Sequence, residues 1–272
     1  MSTPIGNLED VTYRAIRVLR EVDLIAAEDT RRTARLLGHY GITTRRISLH
    51  EHNEARRTAG LLSRLAEGQT LAMVSDAGTP LISDPGRRLA RAALDAGFRV
   101  EAVPGPSAVL AALVASGLTA DTFTFVGFPP VRSQHRKQWY AELAREPRPV
   151  VFFEAPHRIR ASLVDLETVS GNRTIAVCRE MTKAHEELVI GPIHDVLIAL
   201  QEPRGEFTVV LARGDVPGAK PEMPSPTELL EEFGHLTEAG LSRRASIRSL
   251  AAKYDVSSRL VYRAIEDVRE GN

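Results

Sequence analysis

The sequence predicts an α/β fold in two parts, followed by a small helical module. From residue 11 onward, short apolar runs alternate with amphipathic stretches, the pattern of strands and helices taking turns. Several of these apolar runs end in clusters of Gly, Pro and Asp, the residues with which strands pass into loops. A proline-rich break after residue 214 then separates this pattern from a basic C-terminal stretch.

In chain order, strands are expected over residues 22–27, 71–75, 99–103, 122–126, 150–154, 174–178 and 207–211. Helices with apolar residues at helical spacing are expected over 12–20, 54–67, 87–96, 108–116 and 135–145. Gly117 and the string Gly127-Phe128-Pro129-Pro130 mark a hinge, which divides an N-terminal α/β part (1–117) from a second one (118–214). Residues 215–235, with Pro217, Gly218, Pro221, Pro224 and Pro226 ahead of Glu228, Glu231 and Glu232, read as a linker to a helical module over 236–272.

The 272 residues are 43% apolar and 26% charged, ordinary for a folded chain and unlike a disordered or disulfide-stapled one. With 35 basic and 35 acidic side chains, net charge makes no case for nucleic acid, so only local patches can. The single cysteine, Cys178, follows Ile175, Ala176 and Val177 and reads as core, in keeping with a reducing cytoplasm. No apolar run approaches the ~20 residues of a membrane span, and the start lacks the pattern of a signal peptide. A cytoplasmic, soluble chain is expected.

The loop from Ser75 to Gly86 (SDAGTPLISDPG) carries most of the chemistry. It offers backbone groups in a fixed shape beside carboxylates, and it matches neither a phosphate loop nor the dinucleotide fingerprint. Lacking lysine and rich in acid, it suits a ligand with a cationic centre and hydroxyls, such as the sulfonium and ribose of S-adenosylmethionine. The loops Thr3-Pro4-Ile5-Gly6-Asn7 and Val103 to Ala108, the latter with Ser107 at a helix N-cap, have similar turn chemistry and are expected at the same edge. From Thr30 to Arg57 seven Arg face two acids, which suits phosphate contacts. His50, His52 and Glu54 match no standard metal spacing, and no metal is expected. Between 246 and 265 two short helices around a tight turn, the second capped by Ser257 and bearing Arg259 and Arg263, read as helix-turn-helix.

Together the Thr3 to Leu8 loop, Ala27 to Arg31, the Ser75 loop, Val103 to Ala108, Phe153 to Arg158 and Arg179 to Glu187 resemble the bacterial 16S rRNA (cytidine-2'-O)-methyltransferases of the tetrapyrrole (corrin/porphyrin) methylase superfamily. The resemblance is collinear from Thr3 to about Arg213, and the C-terminal stretch is similar to the small helical domain of such proteins. It implies two α/β domains of tetrapyrrole-methylase type with S-adenosylmethionine in the cleft between them. It also implies a homodimer, and methylation of a cytidine ribose in the decoding centre of the small ribosomal subunit. Cofactor contacts are implied at Pro4, Asp76, Ala77, Gly78, Thr79, Ser107 and Ala108, completed by Phe153 and Glu154. One departure is that relatives have a strand ahead of the Thr-Pro-Ile-Gly-Asn loop, whereas only Met1 and Ser2 precede it here. The expectation is either a gene start placed too late or a sheet short of its innermost strand.

For the reaction, Asp29 or Glu28 is the expected base, with Arg31 and Arg32 on neighbouring phosphates. Further RNA contacts are expected at His50, His157, Arg158, Arg243, Arg244, Arg259 and Arg263. The rival readings are a ligand-sensing DNA-binding regulator and a tetrapyrrole methylase. The extended basic stretches, including 132–148, disfavour the latter.

Overall fold

A computed structural model describes residues 1–118, 121–200, 204–214, 223–238, 241–254 and 256–269. The chain divides into two compact units, Met1–Gly214 and Asp215–Asn272.

The larger unit begins with a 3₁₀ turn (Leu8–Asp10), α1 (Tyr13–Glu21), β1 (Leu24–Ala27), α2 (Thr30–His39), β2 (Arg46–Ser48), α3 (Glu51–Ala66), β3 (Leu71–Val74), α4 (Arg87–Asp95) and α5 (Ala108–Ser116). Its three strands are parallel in the order β2-β1-β3. Strand β1 is buried throughout, and its side chains alternate between two cores. Ile25 and Ala27 pack with Leu19, Leu36 and Leu37 of α1 and α2. Leu24 and Ala26 pack with Leu61 and Leu89 of α3 and α4. Helices on both faces are what a parallel sheet requires.

The chain continues through β4 (Thr124–Phe125), α6 (Ser133–Ala144), β5 (Val150–Glu154), α7 (Ile159–Ser170), β6 (Thr174–Arg179), β7 (Glu187–Pro192), α8 (Ile193–Ala199) and β8 (Phe207–Leu211). These strands form one sheet, β4-β5-β8-β6-β7, in which only β4 and β5 are parallel. Val150, Phe152, Ile175, Val177, Val209 and Leu211 face α6, α7 and α8. The alternate residues Val151, Ala176, Cys178 and Val210 face α5. Full burial of each large side chain contributes roughly 1.5–3 kcal/mol.

Helix α5 corrects the expected division at residue 117. It precedes the hinge in sequence, yet Val109, Ala112 and Leu113 belong to the core of the second sheet. A helix this apolar needs a broad partner face, and the five-stranded sheet supplies one. Residues 99–103, expected as a strand, form none. Ser2 N–H donates to Val103 O (3.1 Å), but no strand runs beside them to build a ladder. The other expected strands and helices form, with ends shifted by up to three residues. Residues 1–3 instead join the first sheet's loops, through an isolated bridge between Thr3 and Gly78.

In the smaller unit α9 (Pro226–Glu238), α10 (Arg243–Tyr254) and α11 (Ser258–Arg269) share one core of Leu229, Phe233, Leu250, Tyr254, Val261 and Ile265. The expected linker is therefore helix from 226 on, because Leu229 and Phe233 have apolar partners there. Pro217, Gly218 and Pro221 lie outside the described residues. Ser257 caps α11 as expected, accepting from Leu260 N–H at 3.2 Å.

Candidate active site

The carboxyl ends of β1, β3 and β5 and the start of β8 meet at one cleft, the usual place for a ligand in such sheets. The three Pro/Gly loops converge there. Thr3 and Gly78 exchange backbone hydrogen bonds (2.9 and 3.0 Å), Thr3 Oγ1 donates to Ser75 O (3.1 Å), and Thr79 Oγ1 donates to Pro106 O (3.3 Å). The far end is closed by Asn7 N–H donating to Thr182 Oγ1 (3.0 Å). Gly6 has to be glycine at this closure: a Cβ would lie 2.5 Å from Lys183 Cγ and 2.8 Å from Met181 O.

The resulting cavity has a volume of about 440 Å³, within the roughly 300–1,000 Å³ of small-molecule sites. Asp76, Ala77, Gly78, Thr79, Ser107, Ala108, Phe153 and Glu154 all line it. Pro4 does not; it is buried, and its neighbour Ile5 lines the cavity instead. Ser107 holds the N-cap position of α5, but its hydroxyl caps no N–H. Among the described residues the lining has five carboxylates, Glu28, Asp76, Asp84, Glu154 and Glu206, against one cation, Arg32. That balance fits a cationic ligand and opposes a polyphosphate.

Glu28 and Asp29 part company in three dimensions. Glu28 lines the cavity, and Asp76 N–H donates to its Oε2 at 3.1 Å. Burial raises its pKa, Asp76's charge adds to this, and the Asp76 N–H, Arg32 and His50 pull the other way. Asp29 is absent from the lining and is the N-cap of α2, accepting from Arg31 N–H at 2.7 Å. That bond and the Arg31 side chain hold its carboxyl below the ordinary range. Its backbone N–H donates to Asp76 Oδ1 (2.8 Å), so Asp29 shapes the site from behind.

Arg32 lines the cavity beside Asp76 (3.6 Å), while Arg31 is 91% exposed and reaches back to Asp29 (3.3 Å). His50 is half-buried behind Glu28, and His157 is exposed on the surface. Glu54 accepts from Leu89 N–H (3.0 Å), a packing role. Arg158 turns inward. Its Nη2 lies 2.9 Å from Glu154 Oε1, which corrects its expected place at the RNA surface: a fully buried carboxylate needs a counter-charge. Arg243 is engaged with Glu266 at 2.6 Å, whereas Arg244, Arg259 and Arg263 are exposed.

Sequence reasoning passed over Ser83 and Asp84 as site residues, although they lie in its most informative loop, and over Phe128, Met181 and the start of β8. Positive φ at Leu81 (72°) and Ser83 (64°) folds that loop back into the cavity, a bend no residue type there announced. Burial, with Glu28 and Asp76 nearby and Ser75 opposing, pushes Asp84 up to about 6. The folded protein therefore binds this proton more tightly than the unfolded chain, and the stability associated with it is lost as pH rises from 3.8 through about 6. Asp84→Asn is expected to raise the melting temperature at pH 8 and to raise it less at pH 5; equal gains at both would refute the assignment.

The family model for tetrapyrrole (corrin/porphyrin) methylases matches residues 2–197. The ribosomal RNA small subunit methyltransferase I of Synechocystis sp. is 45% identical over 265 residues, covering 96% of this chain and 94% of that protein. The chain belongs to this methyltransferase family, within the tetrapyrrole methylases. The protein of the same description from Halalkalibacterium halodurans is 40% identical, over 96% of this chain and 92% of its own. Among solved structures, uroporphyrin-III C-methyl transferase from Thermus thermophilus, complexed with S-adenyl homocysteine, superposes with a TM-score of 0.53 at 18% identity. It covers 79% of this chain and 96% of its own, and establishes the shared fold. The protein is thus an S-adenosylmethionine-dependent methyltransferase, and its cavity suits that donor in charge and size. No helix among the described residues is long and apolar enough to cross a membrane.

Proposed function

We propose that this methyltransferase methylates the ribose 2'-hydroxyl of a cytidine in the decoding centre of 16S rRNA, acting on the small ribosomal subunit in the cytoplasm. The observation that carries the reading is Glu28, a half-buried carboxylate of raised proton affinity lining an acid-rich cavity in a chain of this family.

When bound, S-adenosylmethionine supplies a methyl group made electrophilic by its sulfonium. Glu28 is the base in this proposal and takes the hydroxyl proton as the oxygen gains the methyl group. Asp76 N–H fixes its Oε2, and no hydrogen bond among the described residues occupies its other oxygen. The loops at Asp76 to Thr79 and Ser107–Ala108, with Phe153, hold the donor. Alignment of this kind can supply ~7 to 11 kcal/mol of the barrier. Arg31 and Arg32 are the phosphate contacts next to the reacting ribose, with His50 and His157 farther out. Glu154 supports the cavity wall through Arg158.

Transfer of labelled methyl to small subunits from a strain lacking the matching enzyme, followed by nuclease mapping, tests the reading. Label in a 2'-O-methylcytidine of the decoding centre is expected; label on a base or none at all would overturn it. Exposed Leu110 and Val114 on α5 and Leu188 and Ile190 on β7 support a homodimer as part of the proposal.

The helical unit contributes phosphate contacts through Arg244, Arg259 and Arg263. Arg259→Ala and Arg263→Ala are each expected to reduce the slope of log affinity against log salt by roughly 0.7–1. Arg243→Ala, whose guanidinium Glu266 already holds, leaves the slope unchanged. Filter binding of rRNA across a salt series measures this, and slopes equal to wild type for both Arg259→Ala and Arg263→Ala remove α11 from the RNA contact.

A further inference from the structure

The cavity has an aromatic side chain, Phe128, to which donor binding and proton transfer assign no role. Phe128 lines the cavity yet is 52% exposed. Its ring rests on Phe153, with centroids 5.3 Å apart, and Phe153 rests in turn on Phe125 at 5.1 Å. Behind it, Gly127 O accepts from Phe153 N–H at 2.9 Å, which ties the segment to the end of β5. Gly127 has φ 70°, and a Cβ there would come within 3.2 Å of Ser83 Oγ. This close approach brings the Phe128 segment against the strained turn at Leu81 and Ser83, whose Ile82 also lines the cavity and is 47% exposed. A half-exposed ring seated on Phe153 and an exposed aliphatic side chain in the same cavity offer apolar surface to a flat group. Exposed Arg32 lines the same cavity, and an aromatic ring with a cationic side chain nearby is how single-stranded nucleic acid is held.

We propose that Phe128 is the platform on which the base of the target nucleotide, unstacked from its neighbours, rests, in the cavity that Ile82 also lines. The inference rests on the RNA reading above and adds to it the residue that positions the substrate. Stacking on Phe128 fixes the base plane, and through the glycosidic bond it fixes the direction of the 2'-hydroxyl toward Glu28. The stack is made equally before and during transfer, so its loss appears in binding of the nucleic acid and leaves the donor untouched.

Two substitutions test it. Phe128→Leu keeps apolar bulk and removes the flat face, and Phe128→Trp restores a larger one. With small ribosomal subunits as substrate, Phe128→Leu is expected to raise KM roughly 5- to 100-fold, the effect of losing one base–aromatic stack. S-adenosylhomocysteine affinity by calorimetry should stay within about twofold, and Phe128→Trp should restore KM. In a Trp139→Phe background, which removes the single native tryptophan, emission from Phe128→Trp should fall when a decoding-centre rRNA fragment is added. A parallel loss of S-adenosylhomocysteine affinity in Phe128→Leu overturns the inference by assigning the ring to the donor. An unchanged KM overturns it as well. If wild-type protein transfers no methyl to the subunits, the proposed reaction fails, and the platform then stands or falls on the emission change alone.

Discussion

Glu28→Gln lowers kcat for methyl transfer roughly 10²- to 10⁴-fold, the range for loss of a general base, while S-adenosylhomocysteine still binds. Glutamine keeps the length of the side chain and its acceptor oxygen, so Asp76 N–H retains a partner and the loop keeps its shape. What disappears is the capacity to take a proton. Asp29 provides the contrast: it is adjacent in sequence and identical in chemistry at neutral pH, but its carboxylate is spent on the first turn of α2. Asp29→Asn preserves the cap and should leave kcat within a few-fold, whereas Asp29→Ala should lower the melting temperature with little effect on kcat. Steady-state transfer rates for the three variants, with calorimetry for the bound product, decide the matter. Wild-type turnover in Glu28→Gln would remove it from the mechanism.

Glu154→Ala is expected to cost about 3 to 5 kcal/mol of stability, the penalty for breaking one side of a buried ion pair. The Glu154 side chain is fully buried and holds three donors: Arg158 Nη2 at 2.9 Å, Ser162 Oγ at 2.5 Å and its neighbour Ala155 N–H at 2.7 Å. Truncation leaves all three unpaired and strands a guanidinium that is itself only 18% exposed. In a unit of this size the loss corresponds to a fall in melting temperature of roughly 6–20 °C. The double variant Glu154→Leu with Arg158→Leu removes both charges and should recover much of the loss. Thermal melts of single and double variants measure it. A single variant within about 1 kcal/mol of wild type would show that the pair is better solvated than its geometry implies.

Much of the fold is legible in the chain because buried strands announce themselves locally. Val150–Glu154 and Phe207–Leu211 are short apolar runs covered on both faces, and both form as expected. The edge strands β2 and β7 were not legible. Arg46–Ser48 is short and polar, and no residue of β7 is fully buried, so neither reads as a buried apolar run. Helix α2 was hidden for a similar reason. Its arginines read as a phosphate-binding string, and only Thr33, Leu36 and Leu37 mark the face that packs on β1.

By itself the sequence determined the α/β class, the core position of Cys178 and the loop around Asp76 that lines the cavity. Each is a property of a contiguous string: an alternation, an apolar flank, a set of turn residues. The tertiary structure decided what depends on neighbours distant in the chain. It turned Arg158 from the RNA surface onto Glu154, assigned α5 to the second sheet, and brought Phe128 from beyond the hinge into the cavity that Ile82 also lines. It gave Glu28 and Asp29, equal as carboxylates, different surroundings: Glu28 lines the cavity and Asp29 caps α2. A carboxylate's proton affinity is set by desolvation and by the charges around it, and these exist only once the chain has folded.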